Sequence, residues 1–98
     1  SADASFNLQG NKVYAKNLKV EGVQADAVKE LGIIVQNANG EVVAQNISAN
    51  NTLSLAEVSV DVPTSGKYTA YAYANFHNDF IKRELMECIT NPLQICVI

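Results

Sequence analysis

From Tyr68 to Phe76 the chain reads Y-T-A-Y-A-Y-A-N-F, with an apolar residue at every second position. In an extended strand successive side chains face opposite ways. One face would carry Tyr68, Ala70, Ala72, Ala74 and Phe76, and the other Lys67, Thr69, Tyr71, Tyr73, Asn75 and His77. The first set is wholly apolar, and its alanines let a second sheet approach closely. The second set is mixed, as a solvent face is, which makes Tyr71 and Tyr73 candidates for exposure. A strand of this kind requires another layer over its apolar side.

The rest of the chain supplies that layer in short pieces. Ser5–Gln9 alternates around Phe6 and Leu8, and Gly10-Asn11 is a two-residue hairpin turn before Lys12–Val20. There Tyr14, Leu18 and Val20 share a face, with Lys16 discordant. Leu31–Asn37 is β-branched at its centre, and Asn39-Gly40 offers a turn into Glu41–Gln45. Leu53–Val62 changes apolar parity between Leu55 and the set Ala56, Val58, Val60 and Val62, as a bulge would make it do. Pro63 ends that strand, because proline donates nothing to a ladder. The expected core is Phe6, Leu8, Tyr14, Leu18, Val20, Ile33, Val35, Val58, Val60, Val62, Tyr68, Ala70, Ala72 and Phe76.

Two segments carry helical signals. Asp26–Gly32 has a capping-type Asp and a terminating Gly around a single turn. In Phe80–Ile89, residues Ile81, Leu85, Cys88 and Ile89 recur at helical spacing, whereas the run of hairpins asks for a strand there. Both readings stay open, so one short helix near the C-terminus is the alternative to a last strand.

A chain of 98 residues makes one domain, 1–98, with one two-layer core. Its 48% apolar and 17% charged residues are a globular balance. A net charge of −3, with seven scattered Lys and Arg, argues against a nucleic-acid partner, which needs a clustered basic face. No apolar run approaches the ~20 residues of a membrane-spanning helix, so no membrane insertion is expected. Cys88 and Cys96 flank Asn91-Pro92, a turn former, and no C-x-x-C spacing is present. The expectation is a disulfide between them and thus an oxidising compartment. The chain starts S-A-D-A-S-F without Met or leader, which fits a signal peptide already removed or a cloning remnant at Ser1. The expected location is secreted, periplasmic or cell-surface.

The run P-T-S-G-K-Y-T-A, Pro63–Ala70, resembles the D-x-G-x-Y-x-C signature on the penultimate strand of immunoglobulin-like domains. Gly66 and Tyr68 match; Thr64 stands at the Asp position and Ala70 where the inter-sheet cysteine would be. The likeness covers about Leu53–Phe76, and the chain has no Trp. The resemblance implies an immunoglobulin/fibronectin type III-like antiparallel β-sandwich of about seven strands, without the core disulfide or the buried tryptophan. It also implies that the Tyr68 hydroxyl bonds back to upstream backbone.

Chemistry is sparse. The one His, His77, has only Asp79 close by, short of the three or four ligands of a zinc site, and the calcium-loop spacing is absent. No G-x-S-x-G appears. The expectation is no catalysis, no metal and no cofactor. The sequons at Asn46 and Asn50 mark Asn46–Thr52 as an exposed loop. Recognition remains. Tyr71, Tyr73 and Asn75, with His77 and Asp79 at the strand end, form the expected binding surface for a protein partner or a glycan. The first reading is a non-catalytic protein-interaction or adhesion module. The alternatives are a small secreted hydrolase inhibitor using the Cys88–Cys96 loop, and a carbohydrate-binding domain.

Overall fold

The computed structural model describes residues 2–48, 51–78, 83–88 and 93–97. Their strands are β1 (Ala2–Gln9), β2 (Lys12–Val20), β3 (Val28–Asn37), β4 (Val42–Ser48), β5 (Ser54–Asp61), β6 (Gly66–Asn78), β7 (Arg83–Cys88) and β8 (Leu93–Val97). One sheet has the order β1-β2-β5 and the other β4-β3-β6-β7, with β8 also on β6. Every pairing is antiparallel. β7 lies opposite Tyr73–Asn78 and β8 opposite Gly66–Ala70, so two strands occupy consecutive stretches of β6. The two sheets pack as an antiparallel sandwich.

Both helical signals give way to pairing. Near Asp26 only a 3-10 turn forms, Ala25–Ala27, and β3 begins at Val28. Residues 83–88 form a strand, which excludes a helix there, while the rest of Phe80–Ile89 lies outside the described residues. A long neighbour such as β6 outweighs the helical period of a short segment by offering it a full ladder.

The first turn forms as expected, with Gln9 opposite Lys12 across Gly10-Asn11. The second is longer than a two-residue Asn39-Gly40 turn. The Asn37 amide donates to the Glu41 carbonyl at 2.9 Å, and Asn37 Oδ1 accepts from the amides of Asn39 and Glu41 at 2.9 and 3.0 Å. An Asn side chain that folds over its own turn favours this three-residue loop.

The discordant Lys16 and the parity change after Leu55 have one cause. Val13, Ala15, Leu18 and Val20 are buried, so the inward set of β2 switches between Ala15 and Leu18. Asn17 stands at the switch with φ of 54°, a left-handed conformation that Asn adopts more readily than most residues. The inward set of β5 switches alongside, from Leu53 and Leu55 to Val58 and Val60. The β2–β5 register nonetheless runs unbroken from Lys16↔Glu57 to Leu18↔Leu55. The register shift lies between β1 and β2, where Asp3 and Ser5 face Lys19 and Lys16. Relative to β1 the extra residue therefore belongs to β2, and β5, paired to β2 without a shift, changes phase with it. Tyr14 consequently sits between buried Val13 and Ala15 and faces outward, half-buried, rather than into the core.

The other expected core residues are buried or packed against the core. Leu18, Val20, Val28, Leu31, Ala72 and Ala74 form one cluster, and Val13, Val35, Val62, Tyr68, Ala70 and Ile95 another. Phe6 packs against both. A register shift between Val28 and Glu30 lets Val28 and Leu31 both face inward. Each fully buried Val, Leu or Ile contributes about 1.5–3 kcal/mol, so burial of these rows is what holds the two layers together.

Candidate functional site

Two glycines set the geometry of the second sheet. Gly66 opens β6 at φ of 151°, and Tyr68 folds its ring over it, with Cε2 and Oη each 3.6 Å from where a Cβ would stand. The Tyr68 hydroxyl donates to the Thr64 carbonyl at 2.7 Å and lies 2.8 Å from Thr64 Oγ1. The expected bond from Tyr68 to upstream backbone is present, and Thr64 adds a side-chain partner. Gly32, in mid-β3, lies so close to β4 that a Cβ would strike the Asn46 carbonyl oxygen and sit 2.7 Å from Ile47 Cα.

The outer face of this sheet departs from the expected surface. Tyr71 is half-buried, but Tyr73 is only 5% exposed and Asn75 only 2%. Ile34 and Gly32, their neighbours on β3, are buried too. Tyr73 is thus no exposed partner to Tyr71, and the flat aromatic pair does not form. Asn75 is held in place, its Nδ2 donating to Glu30 Oε1 at 2.9 Å. His77 belongs to β6 opposite Glu84, with its side chain outside the described residues, as is Asp79 altogether. The five expected residues do not converge on one surface that can be described.

Tyr71 instead joins residues that the sequence reading left aside. It lines a cleft of about 560 Å³ with Gln36, Asn37, Gly40, Lys67 and Thr69, beside the β3–β4 turn. Thr69 is opposite Gln36 and Tyr71 opposite Ile34, so strand pairing positions the floor. The cleft lies in the usual size range of small-molecule sites. The turn wall is pre-set, because Asn37 spends both ends of its amide inside the turn, Nδ2 donating to Glu41 Oε1 at 3.3 Å.

The sequon asparagine Asn46 is on β4, not in a loop. Its Nδ2 donates to the Ser59 carbonyl at 2.8 Å, bridging β4 to β5 of the other sheet. Asn50 lies outside the described residues. Cys88 is opposite Tyr73 and Cys96 opposite Lys67, both with side chains outside the described residues. Among the described residues no three His, Cys, Asp or Glu gather as a metal site would require, and no helix is long and apolar enough to cross a membrane.

No family model matches this sequence, and neither a curated protein nor a solved structure matches it. The chain is an all-β protein of two antiparallel sheets packed together, and its geometry alone carries any functional reading.

Proposed function

We propose that the chain is a non-catalytic interaction or adhesion module of the immunoglobulin/fibronectin type III kind, acting at a secreted or cell-surface location. The carrying observation is the Tyr68–Thr64 corner on the strand where such domains have one. Strand order supports it: on this reading β1, β2 and β5 would correspond to strands A, B and E, and β3, β6 and the β7/β8 edge to C, F and G. A superfold hosts many activities, so the binding assignment rests on the open cleft beside Tyr71 rather than on topology. A carbohydrate ligand is the second reading, favoured by the Tyr71 ring at that cleft. The inhibitor reading depends on a loop closed by Cys88 and Cys96.

Labelled protein applied to intact cells of the encoding organism tests the module reading. Saturable surface binding supports it, with protease sensitivity pointing to a protein partner and periodate sensitivity to a glycan. A folded chain that binds no surface sinks it. Location is tested separately, by the mass of protein isolated from its native compartment. A chain two hydrogens light supports the bridge and the oxidising compartment. It would also require a different C-terminal register. Tyr73 and Lys67 are six positions apart on β6, about 20 Å of strand, whereas bridged cysteines hold their Cα atoms within about 7 Å. Two alkylatable thiols would fit the register and remove both the bridge and the secreted assignment.

A further inference from the structure

The cleft beside Tyr71 sorts its polar groups into spent and unspent. Asn37 and Tyr68 are occupied by the turn and by the Thr64 corner. Among the described residues, Gln36, Lys67, Thr69 and Tyr71 make no side-chain hydrogen bond or ion pair. These four project from adjacent positions. Lys67, Thr69 and Tyr71 follow one another on the outer face of β6, and Gln36 is the cross-strand partner of Thr69. Among the described residues no carboxylate lines the cleft, although the chain as a whole carries −3. The nearest acid in the turn, Glu41, already accepts from Asn37.

We propose that this cleft binds an acidic oligosaccharide. The half-buried Tyr71 ring offers a face for the apolar side of a sugar ring. Gln36 and Thr69 supply a donor and acceptors for sugar hydroxyls, and Lys67 supplies the cation for a uronate carboxylate. Spacing sets the length of the ligand. Tyr71 and Lys67 are four positions apart, about 13 Å of strand, which a disaccharide spans with the lysine stem reaching back toward it. A neutral sugar would leave the lysine unused, and a simple anion would leave the ring and the amide unused. The proposal rests on the module reading but specifies its ligand.

The probes are digalacturonate and its dimethyl ester, which keeps the rings and removes the charge, titrated against 15N-labelled protein. Digalacturonate should shift the amides of residues 36–40 and 67–71 with millimolar affinity, and the ester should bind about fivefold more weakly, as expected for an exposed ion pair. Lys67→Gln should bring digalacturonate down to the level of the ester and leave ester binding unchanged; Tyr71→Ala should abolish both. Melting temperature is read on each variant, and Tyr71→Leu, which removes the ring but keeps apolar bulk, serves with the same expected loss if Tyr71→Ala fails to fold. Absence of localised shifts, equal affinity for acid and ester, or equal shifts with acetate would overturn the proposal. Cell-surface binding that survives Tyr71→Ala would retain the module and discard the sugar, whereas cleft binding without surface binding would do the reverse.

Discussion

The outer faces of the two sheets are built on the same alternation and end in different states. On β2 and β5 the outward residues Lys16, Glu57 and Asp61 are exposed and Tyr14 is half-buried. On β3 and β6 the outward Gly32, Ile34, Tyr73 and Asn75 are buried, while toward the β3–β4 turn Gln36, Thr69 and Tyr71 are half-buried and Lys67 is exposed. The run Leu31–Val35 differs from β2 in having no polar parity at all. A strand apolar on both faces is one covered on both sides, the usual pattern of a central strand. Alternation therefore reports which face is core only where the other face is polar.

The sharpest way to break this comparison is Gly32→Ala. The added methyl would meet backbone of β4 rather than a movable side chain, so strand must separate from strand. We expect a loss of about 3 kcal/mol or more in urea unfolding, beyond the ~1 kcal/mol of ordinary local changes. A loss under about 1 kcal/mol would mean that β3 and β4 approach less closely.

Next comes Ile34→Ala against Ile33→Ala. If the outer face of the second sheet is as covered as its 6% exposure at Ile34 indicates, both should cost about 2–4 kcal/mol. The outward Tyr14→Ala on the first sheet should cost clearly less. An Ile34→Ala cost below that of Tyr14→Ala would return the second sheet to an ordinary solvent face.

Tyr68→Phe follows in size. Removing the hydroxyl leaves the Thr64 carbonyl and Oγ1 without it, for a loss of about 1–2 kcal/mol, while Tyr71→Phe should be nearly silent. Equal effects at both tyrosines would dissolve the difference between the closed corner and the open cleft.

What could be read in advance follows the same division. The apolar row Tyr68–Phe76, the Gly10-Asn11 turn and the Tyr68 corner were legible because each depends on local chemistry. The burial of Tyr73 was hidden in β3: the apolar run Leu31–Val35 was visible, but that it neighbours Tyr73 is a matter of pairing. The bulge was read only from the parity change after Leu55, and Lys16 was left as a discordant residue, because only the β1–β2 register shows that β2 holds an extra residue. The cleft was missed, since Gln36 and Lys67 are 31 positions apart in sequence and meet only through β3–β6 pairing. An unspent Lys beside a lone ring becomes a signal only once its neighbours' hydrogen bonds are known.

The smallest expected effect sharpens the comparison from the solvated side. Lys12 and Asp61 face each other across β2 and β5 with Nζ and Oδ1 3.8 Å apart, their side chains 42% and 67% exposed. Water at this surface weakens the attraction, and holding two long side chains in one geometry costs entropy. A double-mutant cycle of Lys12→Ala and Asp61→Ala should therefore give a coupling of about 0.5 kcal/mol or less, falling further in 1 M salt as the screening length shortens to about 3 Å. A coupling above about 1 kcal/mol that survives salt would mean that something also covers the outer face of the first sheet, and the two sheets would then differ in composition but not in burial.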